Sequence, residues 1–263
     1  MVHAASTAQP FLDGLAFPEA LRDALARRMP GPGPAIKICG LSTPDSLGAA
    51  LDAGADLVGF VFFAKSPRHV SLTEAHALAA LAGTRAVKVA LSVDADDDML
   101  DAIVAHASPD MLQLHGRETP ERVSVIRARF GLPVMKAIGV SGAADLAGAH
   151  AYLHAADRLL FDAKPPADAT LPGGNGLAFD WALLHGLAWP APYMLSGGLD
   201  AQNVVEAAAR TGAAAVDVSS GVESAPGHKD PARISTFIRT LRNAASSGAL
   251  SGIETLGSEA RTV

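Results

Sequence analysis

Ile36-Lys37-Ile38-Cys39-Gly40 alternates apolar and polar side chains and then stops on a glycine. This pattern predicts a strand with Ile36 and Ile38 on one face and Lys37 and Cys39 on the other. Ser42-Thr43-Pro44-Asp45 follows as a helix start, with the proline just inside the first turn. A strand, a short turn and a helix form the repeating unit of α/β proteins, which keep their chemistry at the C-terminal ends of the strands. Cys39, the only cysteine in the chain, falls at such an end. The competing explanation is a buried cysteine acting as a small hydrophobe.

The unit recurs along the chain. Strand-like runs end near Cys39, Phe62, Val93, His115, Ile138, Asp162, Ser196 and Ser219, at intervals of 22 to 34 residues, room for one strand and one helix each time. Helical patterns over 72–81, 121–130 and 203–210 lie between them. Eight such units predict parallel strands joined by right-handed crossovers and closed into a (β/α)8 TIM barrel over residues 34–243, its last helix spanning 231–243. Residues 1–33 predict a helical extension, packed on the barrel or mobile, with Leu21, Leu25 and Met29 on one face and a hinge at Pro30-Gly31-Pro32-Gly33-Pro34. Residues 244–263 predict a flexible tail.

Composition narrows the partners. The 263 residues are 49% hydrophobic, enough for a large core, and a net charge of −6 without a basic cluster argues against nucleic acid. No apolar run approaches the roughly 18 residues of a membrane span. One cysteine leaves no internal disulfide and fits a reducing, cytoplasmic setting. The N-terminus lacks the layout of a secretory signal.

Catalytic groups of a barrel sit on the strand ends. The first strand offers Cys39, and the second leads into Ser66-Pro67-Arg68. The fourth ends on His115, with Gln113 pointing the same way, and the sixth on Asp162. Ser196-Gly197-Gly198 and Ser219-Ser220-Gly221 follow strands seven and eight, where barrels bind phosphate through close backbone approach. Cys39 and Asp162 would face each other across the mouth, as a thiol and a carboxyl able to divide acid and base work. For Asp162 a loop acid or helix cap is an equally good reading of the pattern. Pro172-Gly173-Gly174-Asn175-Gly176 suggests a mobile lid. His150 and His154, four apart, have a metal-compatible spacing but lack a third ligand, so a solvated helix face is the better account. Strand alternation also turns Lys37 and Asp217 inward below the mouth on neighbouring strands, which predicts a buried ion pair within about 4 Å.

Several ordered motifs resemble the phosphoribosylanthranilate isomerase family of tryptophan biosynthesis. They are Lys37-Ile38-Cys39-Gly40, Gly59-Phe60-Val61-Phe62 with Ser66-Pro67-Arg68, Gln113-Leu114-His115-Gly116, Leu160-Phe161-Asp162, Gly173-Gly174-Asn175-Gly176 with Phe179-Asp180-Trp181, Ser196-Gly197-Gly198-Leu199, and Asp217 through Glu223 with Lys229-Asp230. The resemblance covers residues 35–241 and implies an Amadori rearrangement of a small phosphorylated substrate with no metal and no cofactor. It implies Asp162 as general acid, Cys39 as general base, and Arg68 on the anthranilate carboxylate. His115, Gly197, Gly198, Ser219, Ser220 and Gly221 are expected to complete the substrate site. Ser92, where the family usually has a phenylalanine, is expected to change the pocket wall. Other barrel chemistries weighed against this one are the two-aspartate isomerase of histidine biosynthesis, a non-catalytic metabolite binder, and an aldolase using Lys37 or Lys136. No membrane partner is expected, and the protein is expected to be a monomer or homodimer.

Overall fold

A computed structural model describes residues 10–28, 33–164, 173, 174, 176, 178–184 and 189–250. Eight parallel strands close into a barrel in sequence order: β1 (Ala35–Cys39), β2 (Leu57–Phe62), β3 (Val87–Ser92), β4 (Met111–Leu114), β5 (Val134–Val140), β6 (Arg158–Ala163), β7 (Tyr193–Leu195) and β8 (Ala215–Val218). The ring closes where β8 pairs with β1, with Lys37 in register with Asp217. Around the sheet lie α2 (Pro44–Ala53), α3 (Leu72–Ala82), α4 (Asp97–Ala107), α5 (Pro120–Phe130), α6 (Ala143–Ala149), α7 (Val204–Thr211) and α8 (Pro231–Ser246), preceded by α1 (Glu19–Arg28). Their starts are written locally. Thr43, Thr119 and Asp230 each cap a helix whose first turn carries a proline, and Ser71 with Glu74 forms a reciprocal capping box.

One of the eight expected helices differs. Between β6 and β7 the described residues form only a 3₁₀ turn, Trp181–Leu183, capped by the Asp180 side chain on Ala182 N. The sequence between these strands carries five prolines and four glycines, a composition of low helix propensity.

The N-terminal arm packs on the barrel. Phe11, Leu15, Phe17 and Leu21 are buried against the bottom layer of inward side chains, among them Leu57, Val89, Met111, Met135, Leu160 and Met194. Arg158 ties the arm down, its Nε donating to Phe11 O at 2.6 Å. Leu25 is partly buried there, whereas Met29 and hinge residues 30–32 lie outside the described residues. At the other terminus α8 continues to Ser246, three residues past its expected end, and Leu250 is buried. The expected tail is therefore ordered through Leu250, and residues 251–263 lie outside the described residues.

Ser92 does not shape the pocket wall as expected. Its neighbours Leu91 and Val93 line the mouth, and strand alternation turns Ser92 to the helix-facing side. There its hydroxyl is buried and has no hydrogen-bond partner among the described residues.

Because Phe11 is fully buried at the floor, far from the strand ends that carry the mouth, Phe11→Ala should cost about 3 kcal/mol. Urea unfolding should record the loss while turnover per folded molecule stays unchanged.

Candidate active site

The C-terminal mouth is built from the ends of β1, β2, β3, β4, β6, β7 and β8. Its lining includes Cys39, Arg68, His115, Asp162, Ser196, Gly197, Gly198, Ser219 and Ser220. Cys39 and Asp162 thus share one pocket, as alternation along β1 and β6 requires.

Beneath the thiol lies the expected ion pair. Lys37 Nζ donates to Asp217 Oδ1 at 2.8 Å, with the lysine side chain wholly out of solvent. Ser196 Oγ donates to the other oxygen, Asp217 Oδ2, at 3.2 Å. Gly59, in register with Cys39 on β2, makes the room: a Cβ there would stand 3.1 Å from Cys39 Sγ and 3.2 Å from Lys37 Cε. Burial alone would lower the Lys37 ammonium, but Asp217 and Cys39 beside it outweigh that and raise it. Burial pushes the Cys39 thiol up, with Asp217 adding to the rise, while the Lys37 and Lys229 charges work against it. Burial thus favours the neutral thiol, and positive charge brought beside Cys39 would favour the thiolate a base requires.

A second charge network was less legible in sequence. Glu223, from the hairpin formed by β9 (Glu223–Ala225) and β10 (His228–Lys229), grips Arg68 with both oxygens, Oε1 to Nε at 2.6 Å and Oε2 to Nη2 at 2.8 Å. Lys229 Nζ adds a contact to Glu223 Oε1 at 2.6 Å and donates to Ser219 O and Oγ. Arg68 therefore does not offer a free fork. The Nε–Nη2 edge is taken, Nη2 also donates to Gly174 O, and among the described residues Nη1 makes no hydrogen bond. Both Glu223 and Lys229 belong to the motif that follows β8, but only the hairpin that folds them back reveals their contact with Arg68. Burial alone would raise the Glu223 carboxyl, yet bonds from Arg68 and the Lys229 charge hold it below the ordinary glutamate range.

Opposite Cys39, Asp162 Oδ1 accepts from Ala163 N at 2.9 Å, and Oδ2 lies 3.3 Å from His115 Nε2. Gly173 passes over this pair, close enough that a Cβ would come within 2.6 Å of Asp162 Oδ2. Gly173 thus covers the carboxyl with bare backbone. Pro172 and Asn175 of the expected lid lie outside the described residues.

The two glycine loops meet at the far wall. Gly197 and Gly198 both adopt left-handed backbone, φ 91° and 61°, and Gly197 sits against the Ala163 amide. Gly221 differs from its expected role. It packs behind the mouth on Leu199, where a Cβ would stand 1.9 Å from the Leu199 carbonyl oxygen, and so joins the loop after β8 to the loop after β7. Ser219 is also already engaged, its hydroxyl donating to Cys39 O at 3.2 Å. Ser220 and the backbone of Gly197 and Gly198 form the remaining polar wall.

The alternative residues resolve similarly. Lys136 Nζ donates to three carbonyls and pairs with Glu118 at 3.1 Å, so neither Lys37 nor Lys136 offers a free amine. His150 lies against Trp189 with ring centroids 4.5 Å apart and planes tilted by 55°, and among the described residues no group of three His, Cys, Asp or Glu side chains is arranged to hold a metal ion.

Barrel and mouth together are those of a (β/α)8-barrel enzyme with its site at the C-terminal strand ends. The profile described as N-(5'phosphoribosyl)anthranilate (PRA) isomerase matches residues 36–240. The chain belongs to this family. It is 61% identical over 207 residues to N-(5'-phosphoribosyl)anthranilate isomerase of Rhodopseudomonas palustris, covering 79% of this chain and 95% of that protein. The crystal structure of phosphoribosyl anthranilate isomerase from Thermotoga maritima superposes with a TM-score of 0.73 at 33% identity, covering 80% of this chain and 99% of that one. A structure of a phosphoribosyl anthranilate isomerase in complex with reduced 1-(o-carboxyphenylamino)-1-deoxyribulose 5-phosphate gives a TM-score of 0.70 at 31% identity, covering 80% of this chain and 99% of that one.

Two outcomes follow from the charge networks. Asp217→Ala strands the Lys37 charge in the barrel and should cost about 3–5 kcal/mol in chemical denaturation. The depressed Glu223 carboxyl stabilises the fold at pH above the ordinary glutamate value near ~4.3, and this stabilisation is lost as pH falls through the lower folded value. Glu223→Gln should therefore flatten the acid side of a stability-versus-pH curve.

Proposed function

We propose that this protein catalyses the Amadori rearrangement of N-(5-phosphoribosyl)anthranilate to 1-(2-carboxyphenylamino)-1-deoxyribulose 5-phosphate, with Asp162 as acid and Cys39 as base. The observation that carries the assignment is the placement of this thiol and this carboxyl in one mouth of a chain belonging to the isomerase family. Asp162 gives its proton to the ribose ring oxygen as the C1–O bond breaks, and the anthranilate nitrogen supplies its lone pair to form a C1=N iminium. That new positive charge lies where the Cys39 thiol needs it. Beside that charge the thiol releases its proton to solvent; the resulting thiolate takes the C2 proton, the C2–H electrons form the C1=C2 bond of an enolamine, and the iminium charge is quenched. Proton gain at C1 and loss from the C2 hydroxyl give the ketone.

The remaining groups position the substrate. Arg68, held rigid by Glu223, presents Nη1 to the anthranilate carboxylate. Gly197, Gly198 and Ser220 receive the phosphate, where left-handed glycines allow an anion to reach the backbone. His115 stands beside the acid. No helix among the described residues is long and apolar enough to cross a membrane. A base that must remain a free thiol suits the reducing cytoplasm. One relative is described as a dimeric enzyme from which monomers were generated, so light scattering is the measurement that separates monomer from homodimer here.

Freshly formed phosphoribosylanthranilate loses its fluorescence as it is consumed. Cys39→Ser and Asp162→Asn should each slow that decay by roughly two to four orders of magnitude, the span of acid–base groups, with folding intact. Near wild-type turnover in either variant would remove the role given to that residue.

A further inference from the structure

Gln113 lies on β4 two residues before His115, fully buried, and takes no part in the reaction described above. Its amide meets His115 Nδ1 at 3.3 Å, and its Oε1 has no hydrogen-bond partner among the described residues. The opposite ring nitrogen, Nε2, lies 3.3 Å from Asp162 Oδ2. Gln113, His115 and Asp162 therefore form a line of two contacts that ends on the acid.

A neutral imidazole has one N–H and one lone pair, so the two contacts are coupled. With the amide nitrogen towards Nδ1, Gln113 donates there, the ring proton sits on Nε2, and Asp162 receives it as a carboxylate. With the amide turned over, Oε1 accepts from Nδ1–H and Nε2 offers its lone pair. Asp162 must then carry a proton to bond there. The heavy atoms occupy the same positions in both arrangements. The amide NH₂ takes the place the oxygen vacates, so the choice is made at the ring. A general acid has to hold its proton before the sugar arrives, and only the second arrangement makes His115 an acceptor for it. Oε1 then also gains a donor.

We propose that Gln113 is a positioning residue that fixes His115 as its Nδ1–H tautomer and thereby keeps Asp162 protonated. The inference rests on Asp162 being the acid of the reaction above. Other charged groups surround the ring. Lys136 on β5 donates to the carbonyls of Leu114 and Gly116 on either side of His115. Glu118 pairs with Lys136, Asp94 packs on Gly116, and Lys164 and Arg68 line the same mouth. Among the described residues only Gln113 reaches Nδ1.

Two-bond ¹H–¹⁵N spectra of histidine-labelled protein read the tautomer directly, without turnover. Wild-type His115 should carry its proton on Nδ1 at neutral pH. Gln113→Leu should move it to Nε2, shift the Asp162 limb of the pH–rate profile to lower pH, and lower kcat about tenfold, the equivalent of one pKa unit, with KM held. Gln113→Glu, whose carboxylate can only accept from Nδ1–H, should retain the wild-type tautomer and recover much of the rate. An Nε2–H tautomer in the wild type, or a Gln113→Leu protein with an unmoved pH profile, would overturn the proposal. If Gln113→Leu fails to fold, the wild-type spectrum decides alone. A fully active Asp162→Asn would remove the acid role while leaving the tautomer assignment to stand on the spectrum.

Discussion

A lysine with no solvent exposure stands at the seam where the barrel closes, and the arrangement of the mouth depends on how that charge is balanced. Desolvating an ammonium costs several kcal/mol, and Asp217, across the β1–β8 register, is the carboxylate that offsets it. The pair therefore links barrel closure to the chemistry above it. It fixes β8 against β1, holds Ser196 through the second carboxylate oxygen, and sets a positive charge under the thiol. Gly59 belongs to the same arrangement, because any side chain there would press on both Lys37 and Cys39.

The second network works through geometry more than through charge at the base. Glu223 holds two of the three nitrogens of the Arg68 guanidinium and anchors Lys229. The arginine is thus oriented before a ligand arrives and loses little side-chain freedom on binding. Its exchangeable edge is narrower than a free guanidinium would provide. This favours end-on contact with a carboxylate over a two-pronged grip.

Much of this was readable from residue order. The alternation in Ile36-Lys37-Ile38-Cys39 placed the thiol at the mouth, and the same period applied to β8 placed Asp217 opposite Lys37. Period-two reasoning succeeds there because a closed barrel leaves a strand only an inside and an outside. The same period puts Ser92 on the outer face, since its neighbours Leu91 and Val93 take the inner one, whereas a family pattern carries residue type without side. What sequence could not reach were contacts made by folding back. The hairpin that returns Glu223 and Lys229 to Arg68 has no periodic signature, and Gly221 reads as a phosphate loop until Leu199 is seen against it. The N-terminal arm showed its helical face, but not that Phe11 and Leu15, upstream of that helix, would seal the floor.

The 180-residue separation of Lys37 and Asp217 also bears on how the protein is made. During synthesis at about 5–20 residues per second, β1 leaves the ribosome roughly ten to forty seconds before β8 exists. For that interval the lysine has no carboxylate of its own and must stay hydrated. The first strand cannot settle into a dry interior until the last has emerged. A nascent chain with seven strands translated should thus keep one edge open and wet, a state in which chaperones would meet β1 and β7 as unpaired neighbours.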